Sequence, residues 1–385
     1  MKRFFVYGFA LLLAITGVSV FAGGDRSFSE NENRYLTILG DVTSAKVLSG
    51  DFQKELTAYG SDQIPGRDNY MEASTLLKKM TGREDIGNVY LGKEGFYFEK
   101  KLDKDIDFNR YGKNLEKVER IASAYGEKNV SLMLVPESGN VYPELLPKDA
   151  KIFNHEKMYE EASRTLEKCR LVNPQEALVA NKPDQLYYRT DHHWTQAGAY
   201  AGYKAFMGKD CKLERKQVSD SFLGTLYSKV LDEKARKPVN EGGSLDTIEI
   251  PIIDERIKVT ADGSEIPIFD RKALKEKDQY KVYFGGNYGI VNIKGQQVTG
   301  SGEGTGAESG AGGSTSKGKR LVIIKDSFAN CFAPLLVNDY SEITMIDLRY
   351  FAGNPKEVLE GADDILFLYQ LSNFAGDSNL VKLML

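Results

Sequence analysis

The spacing of hydrophobic and polar residues divides the chain into segments of different kinds. An unbroken apolar run comes first, from Phe4 to Ala22, and polar sequence with amphipathic helical stretches follows over residues 25–84. Near the C-terminus, short apolar runs alternate with helical periods. The runs predict strands at Leu321–Ile324, Glu342–Ile346 and Ile365–Tyr369, and helices at Asn330–Val337 and Pro355–Leu359. This alternation predicts an α/β fold, with a parallel sheet flanked by helices.

The middle of the chain adds further elements to this sheet. A helical period over Asn114–Ala124 precedes a buried strand at Val130–Val135, which Pro136 stops. Asn88–Phe98 reads as a hairpin, because two β-prone runs surround a turn that contains glycine. Residues of about 212–292 hold more β-prone runs, including Lys281–Phe284.

Residues 295–319 interrupt the pattern, since they are rich in Gly, Ser and Thr and nearly free of apolar side chains. Such a segment buries too little surface to order itself, so we expect a flexible loop inserted in the domain. The alternative is a phosphate-binding Gly-rich loop. That motif needs a preceding strand and a Gly-Lys-Ser/Thr ending, and the sequence has neither.

The N-terminal run has the layout of an export signal. Lys2 and Arg3 precede a run of 19 uncharged, largely apolar residues, and small residues near Ala22 suit cleavage of a signal peptide. As a helix the run would extend about 28 Å, which is also enough to cross a bilayer. We therefore expect residues 1–24 to be a signal peptide or a membrane anchor. The protein would be extracytoplasmic, either secreted or anchored to the outer face of the cytoplasmic membrane.

Composition excludes several classes of protein. The formal net charge is −4 and no block is strongly basic, which argues against a nucleic-acid partner. The three cysteines, Cys169, Cys211 and Cys331, are too few for a disulfide framework or a Cys-rich zinc site.

The stretch Asp191-His192-His193-Trp194-Thr195 is the most informative for chemistry. In an extended segment, residues i and i+2 share a face, so Asp191 would accept the Nδ1 proton of His193 and leave Nε2 free as a base. His192 would point the opposite way, and Thr195 would cap the following helix. A packed His–Trp corner without chemistry is one alternative. A metal site formed by Asp191, His192 and His193 is another.

A second stretch places Ser327 directly after a predicted buried strand and before a helix. Open sheets present reacting groups at this position, and a helix N-terminus can stabilise an oxyanion. The plain alternative is a helix-capping serine. Taken together, Asp191, His193 and Ser327 supply the orienting acid, the base and the nucleophile that acyl transfer requires.

The motif Asp-His-His-Trp followed by Asp326-Ser327-Phe328 resembles the DHHW family and is similar to the alginate O-acetylation proteins AlgJ and AlgX, of the SGNH hydrolase-like class. The resemblance covers most of the chain outside the Gly-rich segment. It includes residues 29–36, 62–68, 89–98, 135–147, 327–350 and 364–374. It implies an SGNH hydrolase-like domain over residues 85–385, behind a helical segment at 25–84.

The resemblance also implies site residues. Asp191, His193 and Ser327 match the catalytic positions, in the rearranged order of the alginate proteins. The chain departs from the usual Gly-Asp-Ser, because Lys325 replaces the glycine. We expect oxyanion donors from the Ser327 amide and from Gly286 and Asn287. The side chains of Arg349 and Tyr369 are expected to contact substrate or, alternatively, to serve the structure.

The implied function is serine-dependent O-acetyl transfer to a cell-surface or secreted polysaccharide, through an acyl-Ser327 intermediate. A membrane-bound O-acyltransferase would supply the acetyl group, and no cofactor or metal is expected. One alternative is an acetylesterase of the same fold. The other is a non-catalytic protein of polysaccharide binding or assembly.

Overall fold

The computed structural model describes residues 2–32, 34–126, 128–182, 184–295 and 318–383. Most of the predicted Gly-rich loop lies outside these described residues. The α-helices are α1 Lys2–Ala22, α2 Ser44–Ser49, α3 Asp51–Asp62, α4 Arg67–Met80, α5 Phe108–Ala124, α6 Ser138–Val141, α7 His155–Thr165, α8 Gln175–Ala180, α9 Gln196–Met207, α10 Thr225–Val230, α11 Ala329–Phe332, α12 Pro355–Glu360 and α13 Leu371–Gly376.

The strands are β1 Phe28–Ser29, β2 Arg34–Tyr35, β3 Asp85–Ile86, β4 Val89–Leu91, β5 Tyr97–Glu99, β6 Asn129–Val135, β7 Arg170–Val172, β8 Arg215–Phe222, β9 Asp246–Pro251, β10 Val259–Ala261, β11 Ser264–Ile266, β12 Ile290–Lys294, β13 Arg320–Lys325, β14 Glu342–Ile346 and β15 Asp364–Gln370. Short 3₁₀ helices lie at Lys93–Gly95, Asp103–Asp105, Pro143–Leu145, Glu233–Arg236, Val239–Glu241, Ala273–Lys275, Gln279–Val282, Ala333–Leu336 and Asn379–Leu383.

The main sheet has eight strands in the order β11-β10-β12-β14-β13-β15-β6-β7. The five strands from β14 to β7 are mutually parallel, which confirms the predicted α/β fold. Three antiparallel strands, β12, β10 and β11, extend one edge of this sheet. The sequence pattern did not place those three strands in the sheet, because the pairing that joins them to it, β12 with β14, links segments far apart in the chain.

Strand β13 lies inside the sheet and separates two hydrophobic cores. Successive side chains of a strand point to opposite faces. Leu321 and Ile323 accordingly join the core that contains Trp194, whereas Val322 and Ile324 join the core beneath α5. Burial on both faces explains why β13 and β15 read as continuous apolar runs. It also fixes the carboxyl end of β13, where Ser327 follows.

Two predicted elements differ in the structure. Lys281–Phe284 was predicted as a strand, and this prediction was wrong, because a 3₁₀ helix at Gln279–Val282 occupies its first half. Asn330–Val337 was predicted as one helix, but α11 ends at Phe332 and a 3₁₀ helix continues the chain. Pro334 has no amide hydrogen to donate within an α-helix, which accounts for the change.

The N-terminal helix α1 is apolar and almost wholly exposed. Its segment Arg3–Ala22 has a mean hydropathy of 2.2 and is long enough to cross a membrane. The next helices contact the rest of the protein through α4, whose Thr75 hydroxyl donates to the Val230 carbonyl at 2.5 Å. Lys79 forms an ion pair with Asp232 at 2.6 Å in the same region.

Candidate active site

Asp191, His193 and Ser327 form one hydrogen-bonded chain. Asp191 Oδ1 lies 2.6 Å from His193 Nδ1, and His193 Nε2 lies 2.7 Å from Ser327 Oγ. Asp191 and His193 are buried, while Ser327 is partly exposed. The structure therefore brings together the three residues that the sequence proposed as acid, base and nucleophile.

The loop that carries Asp191 and His193 is bent rather than extended. The backbone bridges Tyr187 to Trp194, and the His193 amide donates to Asp191 Oδ1 at 3.0 Å. An aspartate that accepts the amide hydrogen two residues on is typical of a turn. The predicted extended segment was thus wrong, although the turn still directs both side chains to each other. The predicted cap is confirmed, since Thr195 Oγ1 accepts from the Gly198 amide at the start of α9.

Asp191 is held by groups that come from α10. The amide and the hydroxyl of Thr225 both donate to Asp191 Oδ2, at 2.8 and 2.9 Å. Burial by itself would raise the pKa of Asp191. The neighbouring His192 and His193, together with these hydrogen bonds, hold that pKa well below its usual range. Asp191 therefore stays ionised beside the imidazole of His193.

His193 and Ser327 share a second neighbour, Tyr280. Its ring stacks on the His193 ring at 3.9 Å between centroids, with the planes 10° apart. Its hydroxyl donates to the Ser327 carbonyl at 3.1 Å. One tyrosine therefore fixes the plane of the imidazole and the backbone of the serine at the same time.

His192 lies against His193 instead of pointing away, so that expectation was wrong. The two ring centroids are 3.9 Å apart, because the bend at this point turns both side chains to the same side. His192 Nδ1 lies 2.9 Å from Thr225 Oγ1. Burial and the neighbouring His193 lower the pKa of His192 to about 4, so the ring is neutral near pH 7.

The alternative of a metal site does not fit this arrangement. Asp191, His192 and His193 do offer ligand atoms within 4.8 Å of one another. However, Asp191 engages one ring nitrogen of His193 and Ser327 engages the other, so a metal would have to displace a hydrogen bond. Asp191 Oδ2 is likewise occupied by two donors from Thr225.

Residues 89–221 match the family model described as ALGX, the SGNH hydrolase-like domain of acetyltransferase AlgX. This part of the chain is similar to an SGNH hydrolase-like domain. The match includes Asp191 and His193, and the resemblance predicted from the motifs is confirmed. Among curated proteins, none matches the chain.

Solved structures share the fold of most of this chain. A DHHW family protein from Eubacterium siraeum is 22% identical, with a TM-score of 0.58, over 78% of this chain and 95% of that protein. PatB1 from Bacillus cereus is 16% identical, with a TM-score of 0.59, over 76% of this chain and 98% of PatB1. A second PatB1 structure, which carries a sulfonyl adduct, has a TM-score of 0.57 at 16% identity, over the same shares of the two chains.

Lys325, the departure from Gly-Asp-Ser, is buried. Its ammonium group donates to Asn330 Oδ1 at 2.7 Å and to Asn287 Oδ1 at 3.2 Å, and it lies 3.8 Å from Asp347. Burial lowers the pKa of Lys325 to about 8, against the opposing effect of Asp347. Because a lysine ammonium only donates, its contact fixes the Asn287 amide with the oxygen toward Lys325.

The predicted oxyanion donors are thus placed as follows. Asn287 is exposed, and hydrogen bonds link it to Lys325 at the end of β13 and to Asn330 in α11. Gly286 is partly exposed at a φ of 135°, with open space where a Cβ would lie. The helix after Ser327, α11, has only four residues, so its dipole is a weaker source of stabilisation than the sequence suggested. The donor role of Gly286 and Asn287 stays a prediction.

Arg349 and Tyr369 line one surface pocket together with Asp326, the residue before Ser327. Arg349 forms a two-point ion pair with Asp347, at 2.8 and 2.6 Å. Tyr369 is buried, and among the described residues its hydroxyl has no hydrogen-bond partner. Asp326 accepts from the amides of Phe328 and Gln370, and burial raises its pKa. The substrate contacts of Arg349 and Tyr369 stay predictions.

Sequence reasoning missed Thr225, Gly224 and Tyr280. A Cβ on Gly224 would lie 2.7 Å from Asp191 Cγ, so only glycine allows the close approach of α10. Thr225 and Tyr280 follow segments with ordinary β-prone or polar composition, and nothing local to them indicates a contact with residue 191 or 193. Only the chain path brings them there.

Proposed function

We propose that this protein is an exported serine-dependent O-acetyltransferase that acts on a cell-surface or secreted polysaccharide. The observation that carries the proposal is the hydrogen-bonded chain from Asp191 through His193 to Ser327. The match to a domain described as acetyltransferase AlgX supports acetyl as the group transferred. The apolar helix α1 supports export, as a signal peptide or as an anchor.

In the first half-reaction, Ser327 Oγ attacks the carbonyl carbon of an acetyl donor while His193 Nε2 takes the hydroxyl proton. The ionised Asp191 holds Nδ1–H and stabilises the imidazolium that forms. Collapse of the tetrahedral intermediate breaks the bond to the donor's leaving group. His193 returns its proton to that group, and acetyl-Ser327 remains.

In the second half-reaction, the neutral His193 removes a proton from a sugar hydroxyl, whose oxygen attacks acetyl-Ser327. The bond between Ser327 Oγ and the acetyl carbon then breaks, and His193 returns the proton to Oγ. The products are an O-acetylated sugar and the free serine. A membrane-bound O-acyltransferase is the proposed supplier of acetyl, since the site faces the outer side if α1 directs export.

The test uses the purified full-length chain with 4-nitrophenyl acetate and an oligosaccharide acceptor. Mass spectrometry of the protein should show one acetyl group on the peptide that contains Ser327, and on the acceptor after longer incubation. Ser327→Ala should abolish both products. Ser123→Ala, at an exposed position of α5, is the matched control and should behave like the wild type.

Each alternative has its own outcome. Acetyl-Ser327 that yields only free acetate, with every acceptor offered, would identify an esterase. A Ser327 that forms no adduct with the acetate ester or with a sulfonyl fluoride would contradict serine chemistry and favour a non-catalytic role.

A further inference from the structure

A narrow polar pocket adjoins the proposed active site on the side of His192. Its polar walls include Glu99, Lys101, Glu137, Asn140, His192 and Gln370. His192 stacks on His193, and the Gln370 amide donates to Asp326, next to Ser327. Glu137 lies just after β6 and Gln370 ends β15, so the pocket opens at the same sheet edge as the nucleophile.

Three residues that line this pocket each have an acceptor oxygen without a hydrogen-bond partner among the described residues. These oxygens are Glu137 Oε2, Asn140 Oδ1 and Gln370 Oε1. These side chains are more than nine-tenths buried, with residue exposures of 7%, 6% and 1%. A buried acceptor without a donor costs free energy, so three of them around one space indicate a donor-rich ligand.

The charges around the pocket favour a cationic group. Glu99 and Glu137 are acidic, and burial raises the pKa of Glu137 against the opposing effect of Lys101, which is the one cation among the described residues that line the pocket. The Lys101 ammonium is already engaged by Glu99 at 2.9 Å and donates to the Ser372 hydroxyl at 2.8 Å. Burial lowers the pKa of His192, so this ring adds no positive charge near pH 7. A carboxylate would meet acceptor oxygens on three sides.

The size of the pocket limits the ligand further, because it has room for a single water-sized group. A primary ammonium is of that size and carries three N–H donors, which match the three free oxygens. A hydroxyl offers one donor and a water molecule two. An N-acetylated amine is too large and has lost its charge.

We propose that this pocket binds the protonated primary amine of an amino-sugar unit in the acceptor glycan. The proposal deepens the acetyltransferase function and rests on it for the identity of the ligand as an acceptor. The proposed substrate is then a glycan with free amino groups. With its amine in the pocket, a hydroxyl close to that amine would reach acetyl-Ser327.

The test measures binding without turnover, on full-length protein with Ser327→Ala. Calorimetry compares three pentamers of the same β-1,4 linkage: glucosamine, N-acetylglucosamine and glucose. We expect the glucosamine pentamer to bind at least tenfold more tightly than the other two, since a charge-assisted hydrogen bond is stronger than a neutral one. The preference should fall as pH rises above the pKa of the sugar amine.

Pocket variants then assign the preference to this site. Glu137→Gln and Gln370→Met, each added to Ser327→Ala, should weaken glucosamine-pentamer binding about tenfold. Glu144→Gln is the matched control, because Glu144 pairs with Lys182 on the surface nearby. Thermal unfolding of every variant identifies any that has not folded. If only one of the two pocket variants folds, its binding result alone tests the proposal.

Equal binding of all three pentamers, or no binding because the pocket holds only water, would overturn the proposal. So would an amine preference that both folded pocket variants retain. Acetylation of wild-type Ser327 by 4-nitrophenyl acetate distinguishes a failure of the pocket assignment from a failure of the proposed acetyltransferase function. If Ser327 is acetylated without an amine preference, only this pocket assignment fails. If the amine binds at the pocket but Ser327 never reacts, the acetyltransferase function fails and the pocket stands.

Discussion

Thr225 donates two hydrogen bonds to a single oxygen of Asp191, one from its backbone amide and one from its hydroxyl. The hydroxyl also lies 2.9 Å from His192 Nδ1. Because Thr225 Oγ1 donates its hydrogen to Asp191, it is free to accept from Nδ1–H of His192. The acid of the proposed triad is thus fixed by a residue 34 positions further along the chain.

Replacing the Thr225 hydroxyl should weaken the proposed chemistry without removing the fold. Thr225→Val keeps the shape and the amide donor but loses the hydroxyl, so we expect acetyl-Ser327 formation to slow about tenfold. Thr225→Ser keeps both donors and should stay within about twofold of wild type. Stopped-flow release of 4-nitrophenol measures the rate. A valine variant as fast as the serine variant would contradict a positioning role for the hydroxyl.

Gly224 should tolerate no side chain, because a Cβ would clash with the Asp191 carboxylate. Gly224→Ala is therefore expected to displace Asp191 and to lower both acetyl-Ser327 formation and the free energy of unfolding, the latter by about 1–3 kcal/mol. Gly60→Ala in α3 is the control, since open space surrounds that position and alanine favours a helix. Urea unfolding compares the two variants. Equal free energies of unfolding in the two variants would show that the contact between the start of α10 and Asp191 leaves room for a side chain at position 224.

Tyr280 should contribute through its ring more than through its hydroxyl. Tyr280→Phe keeps the stack on His193 and loses the hydrogen bond to the Ser327 carbonyl, so a loss of about threefold in acetyl-Ser327 formation is expected. Tyr280→Leu loses both contacts and should cost more than tenfold. The measurement compares the rates of acetyl-Ser327 formation in the phenylalanine and leucine variants. If both lose equally, the hydroxyl and not the stack positions the site.

His192 should make the folded state less stable in acid. Its pKa is lowered from 6.5 to about 4 on folding, so the unfolded chain binds the proton first as pH falls. The free energy of unfolding is therefore unaffected by this group above pH 6.5. It falls progressively as the pH decreases toward pH 4, by about 3 kcal/mol in total. Urea unfolding of wild type and His192→Asn at several pH values tests this. The asparagine variant should lose correspondingly less between pH 7 and pH 4, and parallel pH profiles would contradict the prediction.

The sequence by itself determined the central parallel strands of the sheet and the three residues that are proposed to react. Strands such as β13 and β15 are buried on both faces and therefore read as apolar runs, and their alternation with helices indicates parallel order. Asp191 and His193 could be paired because they are two residues apart, and Ser327 because it directly follows a buried strand. These signals depend on local spacing, which the order of residues records.

The tertiary structure decided everything that depends on the path of the chain between those elements. It bent the loop so that His192 lies against His193, and it brought Thr225 to Asp191 and Tyr280 to His193. It also placed three antiparallel strands beside β14 and collected the acceptor oxygens of the proposed amine pocket. Apart from the neighbouring pair His192 and His193, these contacts join residues tens of positions apart, and no local periodicity encodes them, since packing of whole elements sets their distance.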